Sequence, residues 1–305
     1  MFLFSQKKKI VTHPGGFHTD DVFAAATVIL FYGKNNTAWS LERTDTQAVI
    51  DKADVVFDIG GVYDESSLRF DHHQKGGAGA RPNGIPYASF GLVWKYYGPQ
   101  LCEKPEDVLW IDSKLVQPID ASDNGVNIMK SLHSEISPIA IEYIIGSFNT
   151  VFGEDGVTND TQFLEAVYIA QKIIERFILS AKEYRTINKK VSDYFYQSVD
   201  KRVVLVEEPL GRFQIGRALQ DYKEVFYYVY PSNRGDQWNV CAMRASADGF
   251  ETRKPFPESW RGLRDEDLVR VSQIKDAIFC HNSGFLAGAQ SKESALLLAK
   301  IALEA

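Results

Sequence analysis

Short apolar runs that stop at turn residues alternate along this chain with stretches whose apolar positions recur every three or four residues. Residues 9–12 form a β-prone run that ends at His13-Pro14-Gly15-Gly16, a turn signal. Thr19 or Asp20 can then cap a helix through 22–33. Residues 39–44 read as a strand. Residues 53–57 are a compact apolar run closing on Asp58-Ile59-Gly60-Gly61, as buried parallel strands do. Residues 67–70 lead directly into Asp71-His72-His73. After a glycine-rich stretch, 87–97 and 105–116 read as helices. From 161 to about 199, Phe163, Val167, Ile174, Phe177 and Ala181 keep a helical spacing over an unusually long span. The pattern then turns β-rich at 203–206, 225–230 and 238–243 and closes with an apolar helix over 294–303. Strands alternating with helices predict an α/β fold with a mostly parallel sheet. The long helix reads as a connector, giving one domain over 1–200 and a smaller α/β domain over 201–305.

Composition bounds what such a chain can do. With 305 residues, 45% hydrophobic and 24% charged, it has the make-up of a globular protein with a core. No run of about 18 apolar residues is present to span a bilayer. The N-terminal MFLFSQKKK places its lysines after a short apolar stub, the reverse of a secretory signal, and is read here as the start of a cytoplasmic protein. Cys102, Cys241 and Cys280 are too scattered for a zinc site or a disulfide framework. A net charge of −6 argues against a protein that coats nucleic acid by its overall charge. Any polyanionic substrate must be held by a local basic patch or by bound cations.

Chemistry concentrates in two short motifs. Four of the six histidines fall in THPGGFHTDD (His13, His18) and DHH (His72, His73), each with aspartates: Asp20 and Asp21 in the first, Asp71 in the second. A lone histidine is usually a satisfied core or surface residue; histidines grouped with carboxylates at strand ends suggest metal ligands. In a parallel sheet the carboxyl ends of neighbouring strands converge on one edge, where ligands bind. His13, Asp58 and Asp71-His72 each end a strand. Asp58 could be a turn aspartate before two glycines, but its strand aims it at that edge, as a bridging ligand would be. Asp120 and Asp123 in IDASDNG are a further pair, one of which completes the ligand set. Mixed imidazole and carboxylate donors, enough for two ions, suit Mn²⁺ first, with Zn²⁺ or Mg²⁺ as alternatives. In the second half, Arg253, Lys254, Arg261 and Arg264 cluster in RKPFPESWRGLR, and His281-Asn282-Ser283-Gly284 follow a β-like run and precede a helix. Arginine and glycine-flanked amides are the groups that bind phosphate, and Trp260 or Phe285 could stack a base.

These residues resemble the DHH phosphoesterases, and within them the melanocyte-proliferating-gene family of metal-dependent exonucleases. The likeness runs through THPGGFHTDD, VVFDIGGVYD, FDHHQKG, SFGLVWKYYG, IDASDNG, RKPFPESWRGL and FCHNSGFLAGAQSKESALLLA. It implies a DHH-type N-terminal domain, a connecting helix and a C-terminal substrate-binding domain whose HNSGFLAG loop grips substrate. His13, His18 and Asp20 would be first-motif ligands, Asp58 the bridge, and His72 a ligand of the second ion, with Asp120 or Asp123 finishing that site. Asp71 and His73 would join Asp58 in catalysis, with His73 close to the scissile phosphate. Arg253, Lys254, Arg261 and the 281–284 loop would bind substrate.

The function expected on these grounds is a two-metal 3′–5′ exonuclease acting on single-stranded RNA or short oligonucleotides and releasing nucleoside monophosphates. One alternative is a hydrolase of a small phosphorylated molecule, such as a dinucleotide or a pyrophosphate-like compound. Another is a non-catalytic metal- or nucleotide-binding regulator.

Overall fold

The computed structural model describes residues 7–233, 235–247 and 249–305. The apolar N-terminal stub lies outside the described residues. The chain divides into two compact units, Met1–Lys182 and Glu183–Ala305.

In the first unit the order is β1 (Lys8–Thr12), α1 (Thr19–Lys34), β2 (Trp39–Arg43), α2 (Gln47–Ile50), β3 (Val55–Phe57), β4 (Tyr63–Asp64) and β5 (Arg69–Phe70). Then come α3 (Ser89–Leu101), α4 (Pro105–Ile111), α5 (Gln117–Asp123), α6 (Ile141–Gly146) and α7 (Asn159–Gln197). A π-helical turn over Asp112–Val116 joins α4 to α5. The sheet runs β2-β1-β3-β5-β4. All its pairings are parallel except β4 with β5 at one edge. Val55, Val56 and Phe57 are all buried, which is why this strand reads as an unbroken apolar run and not as an alternation. Helix α1 is apolar around most of its circumference because it is buried almost throughout, against the sheet and α3. Phe23, Phe57, Phe70, Phe90 and Trp94 centre this core.

The second unit holds the C-terminal part of α7, then β6 (Val203–Leu205), α8 (Arg212–Ala218), β7 (Tyr227–Pro231), β8 (Trp238–Ala242), α9 (Asp265–Ser272), β9 (Ala277–Cys280), β10 (Leu286–Ala289) and α10 (Lys292–Glu304). Its sheet, β6-β7-β8-β10-β9, has one parallel pairing, β6 with β7. Strand β7 shows the two-residue period plainly. Tyr227 and Val229 pack with Ala295, Leu298 and Ala302 of α10, while Tyr228 and Tyr230 pack with Ile187, Val191 and Phe195 of α7. The loop 281–284 is followed by β10, not immediately by a helix. Leu286-Ala287-Gly288-Ala289 has no β-branched or aromatic residue to signal a strand, and Gly288 sits where Phe279 of β9 leaves no room for a Cβ. Helix α9, also not anticipated, begins immediately after the basic segment 253–264 that reads as a loop in sequence.

Candidate active site

Three adjacent parallel strands end in ligand-type residues: β1 before His13, β3 before Asp58 and β5 before Asp71-His72-His73. The first turn of α1 adds Asp20 and Asp21, and the last residue of α5 is Asp123. Asp58 leaves its strand in the left-handed region, φ 56°, a conformation that aspartate adopts more readily than most residues. That turn splits its carboxylate between two clusters. Oδ2 lies 3.3 Å from His13 Nε2, and Oδ1 lies 3.3 Å from His72 Nε2. Ser89, at the start of α3, donates its hydroxyl to Oδ1 at 3.0 Å and fixes the rotamer.

Around Asp58 the donor atoms gather in three overlapping groups, each within 4.8 Å: His13, His18 and Asp58; Asp58, His72 and His73; and His18, Asp20 and Asp123. His72 Nε2 also lies 3.3 Å from Asp123 Oδ2 and 3.9 Å from Asp20 Oδ2. Of the atoms in this crowd, His13 Nε2, both oxygens of Asp20 and Asp21 Oδ2 are buried without a hydrogen-bond partner. Each such atom costs roughly 1–3 kcal/mol if left unsatisfied. Acceptors buried face to face need a cation between them, so the donor set fits divalent metal ions.

The electrostatics agree. Burial pushes the Asp20 carboxyl well up, with Asp58 and Asp123 adding repulsion, and burial pushes Asp21 up too. The carboxylates of Asp21 and then Asp58, both close to Nε2, raise His13 to about 10. Burial acts to raise Asp58, but the imidazoles of His13 and His72 on either side outweigh it and hold this carboxylate below its usual range. Desolvation acts to lower His72, yet Asp58 and Asp123 raise it. Without metal ions, histidine protons carry the positive charge that the carboxylates demand.

Asp71 and His73 are arranged differently. Asp71 Oδ2 accepts from Gly61 N at 2.6 Å, and Oδ1 accepts from His73 N at 3.1 Å and His73 Nδ1 at 2.7 Å. Asp71 thus holds the ring through Nδ1 and leaves Nε2 clear of this contact on a side chain 61% exposed. Asp71 therefore aims His73 and does not itself face the cluster.

The two candidates on α5 separate cleanly. Asp123 faces His72 and Asp20. Asp120 is buried and engaged, accepting from Arg81 Nη1 at 2.8 Å and Gly91 N at 3.0 Å, which removes it from the ligand set. Burial pushes it up to about 7 against the pull of Arg81. Arg81 is shared with Asp112 at 2.7 Å, and a Cβ at position 91 would collide with the Asp120 carboxylate.

Residues not singled out in the sequence hold the first motif in place. Asp21 lies 3.1 Å from His13 Nε2 and accepts from His18 N at 3.0 Å, capping α1 from its third position. Its place beside Asp20 in the motif was the available signal. Arg43, buried at the end of β2, donates to Gly15 O and to Asp160 Oδ1, both at 2.8 Å, and lies over Phe163. Asn149 bonds both the N–H and the carbonyl of Phe17 at 2.9 Å. These contacts span many residues of sequence and leave no local pattern.

Comparison with known proteins places this geometry. The profile MYG1_exonuc, described as uncharacterised protein family UPF0160, matches residues 9–303. The chain belongs to the MYG1 exonuclease family. The MYG1 protein of Caenorhabditis elegans is 29% identical over 97% of this chain and 95% of its own length. The MYG1 exonuclease of Homo sapiens is 27% identical over 97% of this chain and 85% of its own. Among solved structures, the Mn²⁺ complex of RecJ from Thermus thermophilus aligns over 98% of this chain at 10% identity and a TM-score of 0.28. The chain spans about half of that RecJ, 53%, and so distant a likeness assigns no residue.

For this MYG1-family member the basic residues of the second unit divide into those that are occupied and those that are not. Arg253 donates to the carbonyls of Tyr222, Val225 and Gln220 at 2.6–2.8 Å, and Lys254 donates to Leu303 O at 2.7 Å at the end of α10. Both expected phosphate ligands thus donate to backbone carbonyls. Trp260 is likewise no stacking platform, being 3% exposed and packed on Phe256. Arg261 spends its Nε on Phe256 O at 2.9 Å, but its guanidinium reaches a cavity that Ser283 and Phe285 also line. The loop His281-Asn282-Ser283-Gly284 is a tight turn in which Ser283 N donates to His281 Nδ1 at 3.1 Å. Gly284, at φ 65°, has Arg261 where a Cβ would stand.

Proposed function

We propose that this member of the MYG1 exonuclease family is a two-metal phosphodiesterase that degrades single-stranded RNA or short oligonucleotides from the 3′ end and releases nucleoside monophosphates. The observation that carries the reading is the divided carboxylate of Asp58, one oxygen facing His13 and the other His72, beside the buried and unpartnered carboxylate oxygens of Asp20. His13, His18 and Asp58 would hold one ion; Asp20, Asp58, His72 and Asp123 would hold the other. A pair of divalent ions supplies Lewis-acid activation of water and neutralises charge on the phosphoryl oxygens. The mixture of imidazole and carboxylate favours Mn²⁺ as the resident ion. Asp58, pinned by Ser89, sets the spacing of the two sites. His73, oriented by Asp71, presents Nε2 to a phosphoryl oxygen or to the leaving group. Asp21 and Arg43 keep the His13–His18 loop in register with α1. Free thiols at Cys102, Cys241 and Cys280 fit a reducing compartment such as the cytoplasm.

The test is an end-labelled single-stranded RNA incubated with chelator-treated protein to which Mn²⁺, Mg²⁺ or Zn²⁺ is restored. Mononucleotides shed from the 3′ end with Mn²⁺ are the expected result. Internal fragments, 5′ polarity, or no turnover with any ion would overturn it. The net charge of −6 favours a second reading, hydrolysis of a small phosphorylated molecule, and dinucleotides and pyrophosphate in the same assay separate the two.

A further inference from the structure

Helix α6 is apolar on both sides. Ile141 and Ile145, four residues apart, pack into the core of the first unit, yet Tyr143 and Ile144 are exposed. Helix α9 shows the ordinary arrangement at a surface, burying Leu268 and presenting Asp265, Glu266, Asp267 and Arg270 to solvent. The chain on either side of α6 continues the exposed apolar surface. Leu132 is 91% exposed and Ile139 79%, and Ile136 and Phe152 also stand in water. A free aromatic side chain presents about 150–250 Å² and a leucine or isoleucine somewhat less, so the stretch 132–152 leaves on the order of 1,000 Å² uncovered. The largest apolar patch of a monomer is usually about 300–600 Å². Glu135 and Glu142 are the acids of this stretch, and it holds no lysine or arginine.

We propose that residues 132–152 are a dimer interface, on which a second copy of this chain packs its own 132–152 about a two-fold axis. The uncovered area matches the roughly 800 Å² that each partner gives to a stable complex. Interfaces between identical copies are more apolar than those with transient partners, which favours a second copy over a different protein. Without lysine or arginine the stretch has nothing to draw a nucleic acid or an anionic membrane, both of which need basic residues. Two-fold pairing sets the same patch against itself, so one contact covers both copies and assembly stops at two. The stretch follows Asp123, which faces His72, and Asn149 within it holds both backbone groups of Phe17 between His13 and His18. The pairing thus belongs to the unit that carries the candidate active site, but it stands without the phosphodiesterase reading.

The experiment is sedimentation velocity of the full chain over about 1–200 µM, with hydrogen exchange measured on the same samples and no substrate present. Native protein should pass from monomer to a single dimeric species with a Kd of about 10 µM or tighter. The dimer should persist in about 1 M NaCl, because no ion pair holds it. Amides of 132–152 should gain protection as it forms. Leu132→Glu/Ile139→Glu sets carboxylates at positions already in water, so the melting temperature of the monomer should hold while Kd rises about a hundredfold or more. Leu109→Glu/Val199→Glu, at exposed apolar positions outside the stretch, should pair as native protein does. Four results would each overturn the proposal: a monomer at every concentration, a dimer that survives Leu132→Glu/Ile139→Glu, a dimer lost in the Leu109→Glu/Val199→Glu control, or protection confined to other residues. Growth past two copies would do so as well, since a two-fold contact closes. Flotation of native monomer with phosphatidylcholine–phosphatidylserine vesicles would hand the surface to a membrane and equally end it.

Discussion

In the N-terminal unit, carboxylate oxygens and an imidazole nitrogen are buried together without hydrogen-bond partners, whereas in the C-terminal unit four guanidinium groups line a cavity in which, among the described residues, Glu251 is the one acid. One region needs cations and the other needs anions, and a net charge of −6 reveals neither. The comparison shows which charges to suspect of function. Asp120 is as buried as Asp20, but Arg81 and Gly91 already satisfy it. Arg253 carries the same guanidinium group as Arg212, but three carbonyls already occupy it. A charged side chain whose partner the protein supplies is architecture; one whose partner is missing is waiting for a ligand.

The largest effect should follow Asp58→Asn, which keeps the size and the tolerated backbone while removing the charge between the two groups. Cleavage of RNA is expected to fall about a thousandfold or more in kcat/KM, with cation stoichiometry by calorimetry dropping below two. Activity within tenfold of native would break the cation half of the comparison. Next, Asp120→Ala and Asp123→Ala should exchange their effects. The first is expected to cost about 3 kcal/mol in urea denaturation, by stripping a partner from buried Arg81, and to leave bound cations unchanged. The second should lose an ion and stay within about 0.5 kcal/mol of native stability. The reverse pattern would show that satisfaction by neighbours does not identify the structural acid. Asp71→Asn should slow kcat by about 10- to 100-fold without changing the number of ions, because it frees the His73 ring. The smallest effect belongs to Arg253→Lys, about 1 kcal/mol of stability from lost carbonyl contacts, with RNA affinity intact. A drop of about tenfold in RNA affinity would return Arg253 to the binding surface.

Much of the first unit was legible in the sequence because burial on both faces makes β3 an apolar run, and each strand of the site stops at a residue with chemistry. The 39-residue α7 was legible for the same kind of reason, a periodic pattern too long to mistake. Strand β10 was not, since small residues packed under Phe279 carry no strand propensity. The site was half readable. Motif spacing brought forward His13, His18, Asp58 and His72, but the choice between Asp120 and Asp123 turned on Arg81, 39 positions from Asp120. The same limit applies to the second unit. Arg253, Lys254 and Arg261 stand out because they are close in sequence, while Arg212, Arg217 and Arg244 come from α8 and the end of β8 and meet only after folding.

Residue 58 is asked for two things at once. Its backbone, at φ 56°, is cheap for glycine, asparagine, aspartate and few others. Its side chain must offer two anionic oxygens on a short stem. Aspartate satisfies both demands, so few other side chains can stand here, although four residues later, at exposed Val62, many would do.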